Sequence, residues 1–333
     1  MAMINAAVIG LGWWGKQITK CLQESTRIRV THGVDVAAVQ LGDFARDYRI
    51  KLVTSIDEVL ADRSVAAIIV ATPHSTHEDL CLRALRAGKQ LFCEKPLTLT
   101  AAGAERILAA CDQAGVTLGI GHERRFEPAM ELLAAKVTAG ELGEILHLEA
   151  NMSHNLFATL DATNWRVGAK DAPAGAMTAL GIHVTDLFMS LVGRPKRVIA
   201  RTARVYSRMA GDDHVSAQID FASGVTGSLV CLSSTPYHGR FTVFGSKGWI
   251  EVKENANVDK GKPSDVTIAD AEGNRTYQSF QPANTVLANL EAWAKAVNGE
   301  AAYRFNRTQL LDNVRVLEAI VTSANEGSRA VLL

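Results

Sequence analysis

The apolar positions change rhythm once along the chain. In the first part, short continuous apolar runs alternate with stretches of helical period. Residues 6–10, 28–35, 66–71, 90–93 and 117–121 read as strands. Residues 15–24, 37–48, 55–60, 73–87 and 98–114 read as helices, with Gly88 just past the end of one and Thr98 or Thr100 capping another. The run 66–71 shows no alternation, the pattern of a strand covered on both faces. Strand and helix in strict turn predict a doubly wound parallel sheet.

Beyond Gly121 the rhythm differs. A helix over 126–139 and a partly alternating strand over 145–154 precede another helix, 175–191. Strands then crowd together at 197–206, 214–221, 225–233, 240–245 and 249–253. Ala222-Ser223-Gly224 and Gly245-Ser246-Lys247-Gly248 separate them, which predicts antiparallel hairpins. Helices over 286–298 and 308–326 end the chain. The expected organisation is an α/β domain over 1–121 and an α+β domain with a large, mainly antiparallel sheet over 122–333.

Composition narrows the function classes. A length of 333 residues suits two domains. Basic and acidic residues balance at 35 each, so nucleic acid is not an expected partner. No run is long enough to span a bilayer and the start lacks a signal-peptide pattern, so a membrane is not expected either. Five cysteines are scattered without C-x-x-C spacing. They point to a reducing, cytoplasmic setting and to no structural metal.

The candidate chemistry begins at Gly10-Leu11-Gly12-Trp13-Trp14-Gly15, between a strand and a helix. Glycines at these spacings permit a tight turn, close approach of a pyrophosphate and helix–strand packing, and the helix start offers free N–H groups. The next strand ends in Asp35, placed to bind ribose hydroxyls. A carboxylate there repels a 2′-phosphate, and Val36, Ala37 and Ala38 supply no cation, so NAD is favoured over NADP; Arg46 could still fold back. Thr72, Pro73 and His77 follow the third strand and would border the cofactor, or simply start a helix. Glu94-Lys95-Pro96 follows the next strand. A lysine there can hold a reacting oxygen, and the proline suits a cis bond.

Together with Gly181-Ile182-His183-Val184-Thr185-Asp186, these motifs resemble the glucose–fructose oxidoreductase/inositol dehydrogenase (Gfo/Idh/MocA) family. The resemblance implies a Rossmann domain plus an open-faced sheet domain that often mediates homodimers or homotetramers. It implies hydride transfer at a hydroxyl carbon of a small-molecule sugar, polyol or cyclic diol. Cofactor contacts are then expected from Gly10, Gly12, Trp13, Trp14, Gly15, Asp35, Thr72, Pro73, His77, Glu94 and Lys95. Lys95 and His183 take the catalytic centre: the histidine moves the hydroxyl proton and the ammonium steadies the alkoxide. Many members carry an aspartate four residues before this histidine; here that position is Ala179. Asp186 or a nearby glutamate could substitute, His183 could work with Lys95 alone, or the activity could be weakened or altered. Arg124 and Arg125 could clamp a carboxylate or hydroxyls, and Trp165-Arg166 could face a sugar ring. His122, His154, Tyr237 and His238 are further polar candidates. Substrate contacts are thus expected from Lys95, Arg124, Trp165, Arg166, His183 and Asp186. A glycosidase using transient oxidation and elimination, and a non-catalytic dinucleotide sensor, are the alternatives.

Overall fold

The computed structural model describes residues 3–161, 163–206 and 211–333. Two units emerge: Met1–Glu123 with Asn284–Leu310, and Arg124–Ala283 with Leu311–Leu333. The first is built on β1 (Ile4–Ile9), β2 (Ile28–Val34), β3 (Lys51–Val53), β4 (Ala67–Val70), β5 (Gln90–Cys93) and β6 (Leu118–Ile120). They pair in the order β3-β2-β1-β4-β5-β6, all parallel. Helices α1 (Trp13–Cys21), α2 (Gly42–Tyr48), α3 (Ile56–Ala61), α4 (His77–Arg86) and α5 (Ala101–Ala114) connect them. The order reverses between β1 and β4, and the crevice beyond the carboxyl ends of strands at such a switch point is where ligands bind in this architecture. The β4 run is buried at every position, which explains its unbroken apolar sequence. Thr100 caps α5 by accepting the Gly103 N–H at 3.2 Å. Two expected helices start later in α geometry, after 3₁₀ turns at Ala38–Leu41 and His74–Thr76. The short β3 was not expected, because three residues carry no period.

The second unit contains α6 (Pro128–Thr138), β7 (Ile145–Ser153), α7 (Ile182–Val192), β8 (Pro195–Ala203), β9 (His214–Phe221) and β10 (Thr226–Leu232). It continues with β11 (His238–Gly245), β12 (Gly248–Glu254), β13 (Ser264–Ala269), β14 (Arg275–Phe280) and, near the end of the chain, β15 (Val331–Leu332). The nine-stranded sheet runs β14-β13-β12-β11-β7-β10-β9-β8-β15. It is antiparallel throughout except at β10–β7, which is parallel. Buried and half-exposed positions alternate along β9 and β10, so one face is covered and the other is open. Strand β14 escaped the sequence reading because it is an edge strand with five exposed positions and no apolar alternation.

Helix α8 (Thr285–Val297) falls in the expected second domain but packs with the first unit; α9 (Arg307–Asn325) follows it. Trp293 is fully buried and meets Phe92 of β5 edge-on, with ring centroids 5.6 Å apart. Its indole N–H donates to the Thr117 carbonyl at 2.9 Å, and Asn289 Nδ2 donates to the Ile120 carbonyl at 2.7 Å. Gly119 makes room: a Cβ there would lie 2.3 Å from Phe92 and 2.8 Å from Trp293. A large aromatic burial plus two bonds to sheet carbonyls outweighs proximity in sequence. The division after Glu123 lies beside the expected one after Gly121, but residues 284–310 change sides.

Candidate active site

In the first unit the three glycines have three separate reasons. Gly10 sits at φ +89°, and a Cβ on it would meet the Ala71 carbonyl oxygen at 2.8 Å. A Cβ on Gly15 would lie 1.8 Å from the Gly10 oxygen, so α1 can lie on β1 only without one. Gly12 has an ordinary φ of −64°, and a Cβ on it would touch nothing within 4 Å. The protein therefore does not need that glycine for its own packing. The open space suits a close-approaching pyrophosphate, and no side chain caps the α1 N-terminus beside it. Trp13 is exposed and its ring centroid lies 5.2 Å from that of Trp14.

Asp35 closes the loop from the other side. One carboxylate oxygen accepts the Leu11 N–H at 2.7 Å, the other the Ala37 N–H at 2.8 Å. Each oxygen keeps acceptor capacity for ribose hydroxyls. The neighbouring Val36 is almost fully exposed and carries no charge toward a 2′-phosphate. These residues fit the adenosine end of a dinucleotide.

The loops after β4 and β5 are joined. His77 is fully buried; its Nδ1 lies 2.8 Å from the Pro96 carbonyl oxygen and its Nε2 3.0 Å from that of Thr72. Thr76 Oγ1 donates to the Pro73 carbonyl at 2.7 Å. The Lys95–Pro96 bond is cis. Half-buried Lys95 follows Glu94, whose carboxyl accepts the Lys95 backbone N–H at 3.2 Å. Burial first, and the negative charge of Glu123 next, push the Glu94 carboxyl up to about 8, against the pull of Trp14 and Lys95. Gly121 gives it space, since a Cβ there would lie 2.3 Å from Glu94 Oε2. Sequence reasoning assigned no role to Glu123, although an acid just past the end of the adjacent strand was the available signal.

In the second unit, buried His183 stands in the first turn of α7. Thr185 Oγ1 anchors that helix by donating to Asn313 Oδ1 at 2.6 Å. Asp186 was considered as a substitute carboxylate and a substrate contact, but Arg125 takes both of its oxygens, at 2.7 and 2.5 Å. The Arg124 clamp is likewise filled: Nη1 reaches both Glu254 oxygens at 2.8 and 2.7 Å and Glu127 at 3.2 Å, and Nη2 reaches Asn257 at 2.8 Å. Both guanidiniums are buried, so each needs a carboxylate of the protein itself. Glu254 was not foreseen; it lies 130 residues from its partner and carries no local pattern.

Tyr237 donates to the same Glu254 at 2.5 Å, and its phenol is pushed up chiefly by burial. His154 meets the Tyr237 ring edge-on at 5.5 Å, and burial lowers its pKa. Arg166 stacks over Trp165 at 4.2 Å, its pKa lowered by burial. His238 is exposed at the start of β11, and buried His122 lies 6.2 Å from the Phe305 ring. The segment before α7 is a π turn, Met177–Gly181, in which the Ile182 N–H reaches the Met177 carbonyl.

Among the described residues, no group of three or more His, Cys, Asp or Glu could hold a metal ion. Among them too, no helix is long and apolar enough to cross a membrane.

Residues 4–122 match the model of an oxidoreductase family with an NAD-binding Rossmann fold, and residues 130–251 match the GFO/IDH/MocA C-terminal domain. The chain is 29% identical over 279 residues to D-xylose 1-dehydrogenase (NADP(+)) 2 of Haloferax volcanii, covering 84% of each chain. It is 30% identical over 253 residues to 1,5-anhydro-D-fructose reductase of Ensifer adhaerens, covering 75% of this chain and 74% of that one. The structure of aldose-aldose oxidoreductase from Caulobacter crescentus, complexed with glycerol, superposes with a TM-score of 0.89 at 27% identity over the full length of both chains. The chain is a dinucleotide-dependent oxidoreductase and belongs to the Gfo/Idh/MocA family.

Proposed function

We propose that this protein is an NAD-preferring dehydrogenase acting on a secondary alcohol carbon of a sugar, polyol or cyclic diol. The carrying observation is Lys95, half-buried on the turn after β5 beside a carboxyl group held largely neutral up to about pH 8. Lys95 holds the carbinol oxygen and lowers the free energy of its alkoxide. His183 exchanges the hydroxyl proton, a task suited to an imidazole. The dinucleotide, held by Gly10, Gly12, Gly15 and Asp35, supplies hydride acceptance or donation when bound.

The preference for NAD rests on the Asp35 carboxylate and the uncharged Val36 beside it. The xylose dehydrogenase relative is named for NADP, so this preference belongs to the present chain's own loop. The names of the relatives support a neutral sugar-like substrate. A panel of aldoses, anhydro sugars, inositols and dihydrodiols, assayed for NADH and NADPH formation, tests the reading. Turnover of at least one compound that Lys95→Ala abolishes at retained NAD affinity supports it. Dinucleotide binding with no turnover across the panel in either direction refutes it.

A further inference from the structure

We propose that the stacked pair Trp165–Arg166 is a subsite for a carboxylate, so that the sugar-like substrate carries one acidic group besides the reacting hydroxyl. The proposal deepens the dehydrogenase reading and rests on it. Arg166 is half-buried, and among the described residues its side chain meets no carboxylate and makes no hydrogen bond; burial alone acts on its charge. The residues outside the described ones include no aspartate or glutamate. Every other described arginine of the second unit that is not exposed has a carboxylate partner. Arg124 holds Glu254 and Glu127, Arg125 holds Asp186, Arg240 holds Glu149 and Arg315 holds Asp312. A guanidinium keeps its proton at any ordinary pH, so withdrawing it from water without a counter-charge is unfavourable. The anion of a ligand removes that penalty.

The stack fixes the direction of binding. The guanidinium carbon lies 4.2 Å from the centroid of the Trp165 ring. Stacking occupies one face of the guanidinium and leaves its five N–H donors in the plane, where they form the fork that matches both oxygens of a carboxylate. One guanidinium balances the single charge of a carboxylate. A phosphate monoester carries nearly two charges and calls for a second cation; the nearby Lys170 is exposed.

The pair stands at the end of the sheet that also carries His183. Strands β7 and β10 run parallel and finish there, with the His154 N–H on the Leu232 carbonyl at 2.8 Å. The segment 154–176 leaves β7 at this end and packs beside the start of β9. A Cβ on Gly211 would lie 2.8 Å from the Val167 oxygen, and one on Gly175 would lie 2.0 Å from the Asp212 oxygen. The π turn Met177–Gly181 follows, with Gly181 against Cys231 near the end of β10: a Cβ on it would lie 3.3 Å from Cys231 Sγ. His183 comes two residues later. The reaction is the one already proposed. The carbinol carbon gives a hydride to NAD and its hydroxyl gives a proton to His183, leaving a carbonyl and NADH, while the carboxylate holds the substrate without reacting.

The test uses the whole protein as wild type, Arg166→Gln and Arg166→Lys. D-gluconate, D-glucuronate and D-galacturonate are compared with D-glucose, D-galactose and a hexose phosphate, in the presence of NAD. In wild type, kcat/KM for at least one acid should exceed that of its neutral counterpart by roughly 10-fold or more, the effect of one charge-assisted contact. Arg166→Gln should raise KM for the acid about 10- to 100-fold more than for the neutral sugar at retained NAD affinity, and Arg166→Lys should recover part of the difference. Neutral sugars turned over as well as the acids by wild type overturn the proposal, and this comparison holds even if a variant fails to fold. An equal loss on acids and neutral sugars in Arg166→Gln also overturns it, as does a hexose phosphate preferred over every acid. Absence of turnover across the panel counts against the dehydrogenase reading, and calorimetric titration of the NAD-loaded protein with the same acids then decides this one. Binding that Arg166→Gln loses supports the subsite, and no binding of any acid to wild type overturns it.

Discussion

His77 Nδ1 and the carbonyl oxygen of Pro96 lie 2.8 Å apart, and the opposite ring nitrogen of the same histidine faces the Thr72 carbonyl at 3.0 Å. One buried imidazole thus spans the loops that follow β4 and β5. Both of its neighbours are acceptors, so only a ring carrying two protons satisfies both. Replacing His77 by Leu removes two hydrogen bonds and strands two carbonyls, and the expected loss is about 2–4 kcal/mol in urea unfolding. The same variant should lower kcat more than NAD affinity, since the loop it releases carries Lys95 and not the pyrophosphate site. Equal stability to wild type would show that the bridge contributes nothing.

Gly12 and Gly15 should separate in effect. Gly12→Ala meets open space at an ordinary φ, so the fold should survive with an unchanged melting temperature and weakened dinucleotide binding. Gly15→Ala places a carbon 1.8 Å from the Gly10 oxygen and should destabilise the protein by several kcal/mol or prevent folding. Calorimetric titration with NAD and thermal melts of both variants check the pair.

Glu94 gives a pH signature. Its carboxyl titrates at about 8 in the folded chain and near 4.5 when unfolded. Between those values the native state holds a proton that the unfolded state has released. Stability should therefore fall as pH rises through that window, by up to ~1.4 kcal/mol per pH unit, and level off above about 8. Glu94→Gln removes this contribution, so its urea midpoint should decline less between pH 5 and 8 than that of wild type. Parallel curves for the two proteins would disprove the assignment.

Cofactor choice should follow the loop after β2. Asp35→Ser with Val36→Arg removes a repelling charge and adds a matching one. The ratio of kcat/KM for NADP over NAD should then rise by about 10- to 100-fold, the effect of one or two charge-assisted contacts. No change in the ratio would place the discrimination elsewhere.

The Arg125–Asp186 pair is buried on both sides. Arg125→Met alone leaves a carboxylate without its partner, and the expected loss is about 3–5 kcal/mol. Pairing it with Asp186→Leu should recover a large part of that loss in the same urea titration. A double variant no more stable than the single one would show that the carboxylate has another role.

The sequence was most legible where local geometry dictates residue type. Gly10 and Gly15 each meet a demand of backbone or packing that no other residue meets as well, Gly12 leaves space a ligand can use, and β1 and β4 announced themselves as apolar runs. The second sheet was legible only where one face is buried; β14 shows solvent to both faces and so left no mark. Arg124 and Asp186 misled for a different reason. A charge reads the same in sequence whether it awaits a ligand or is already matched, and Glu254 and Arg125 matched them from distant strands and turns. The π turn was invisible because one extra residue in a helical turn leaves the apolar pattern almost unchanged.

The place of Trp293 has a consequence for how the molecule comes into being. The indole that fills the gap beside Phe92 and Gly119 is translated late, some 170 residues after the last strand it covers. While the ribosome is still making the second sheet, the nucleotide-binding portion must wait with one flank uncovered, and only arrival of the penultimate helix lets it seal.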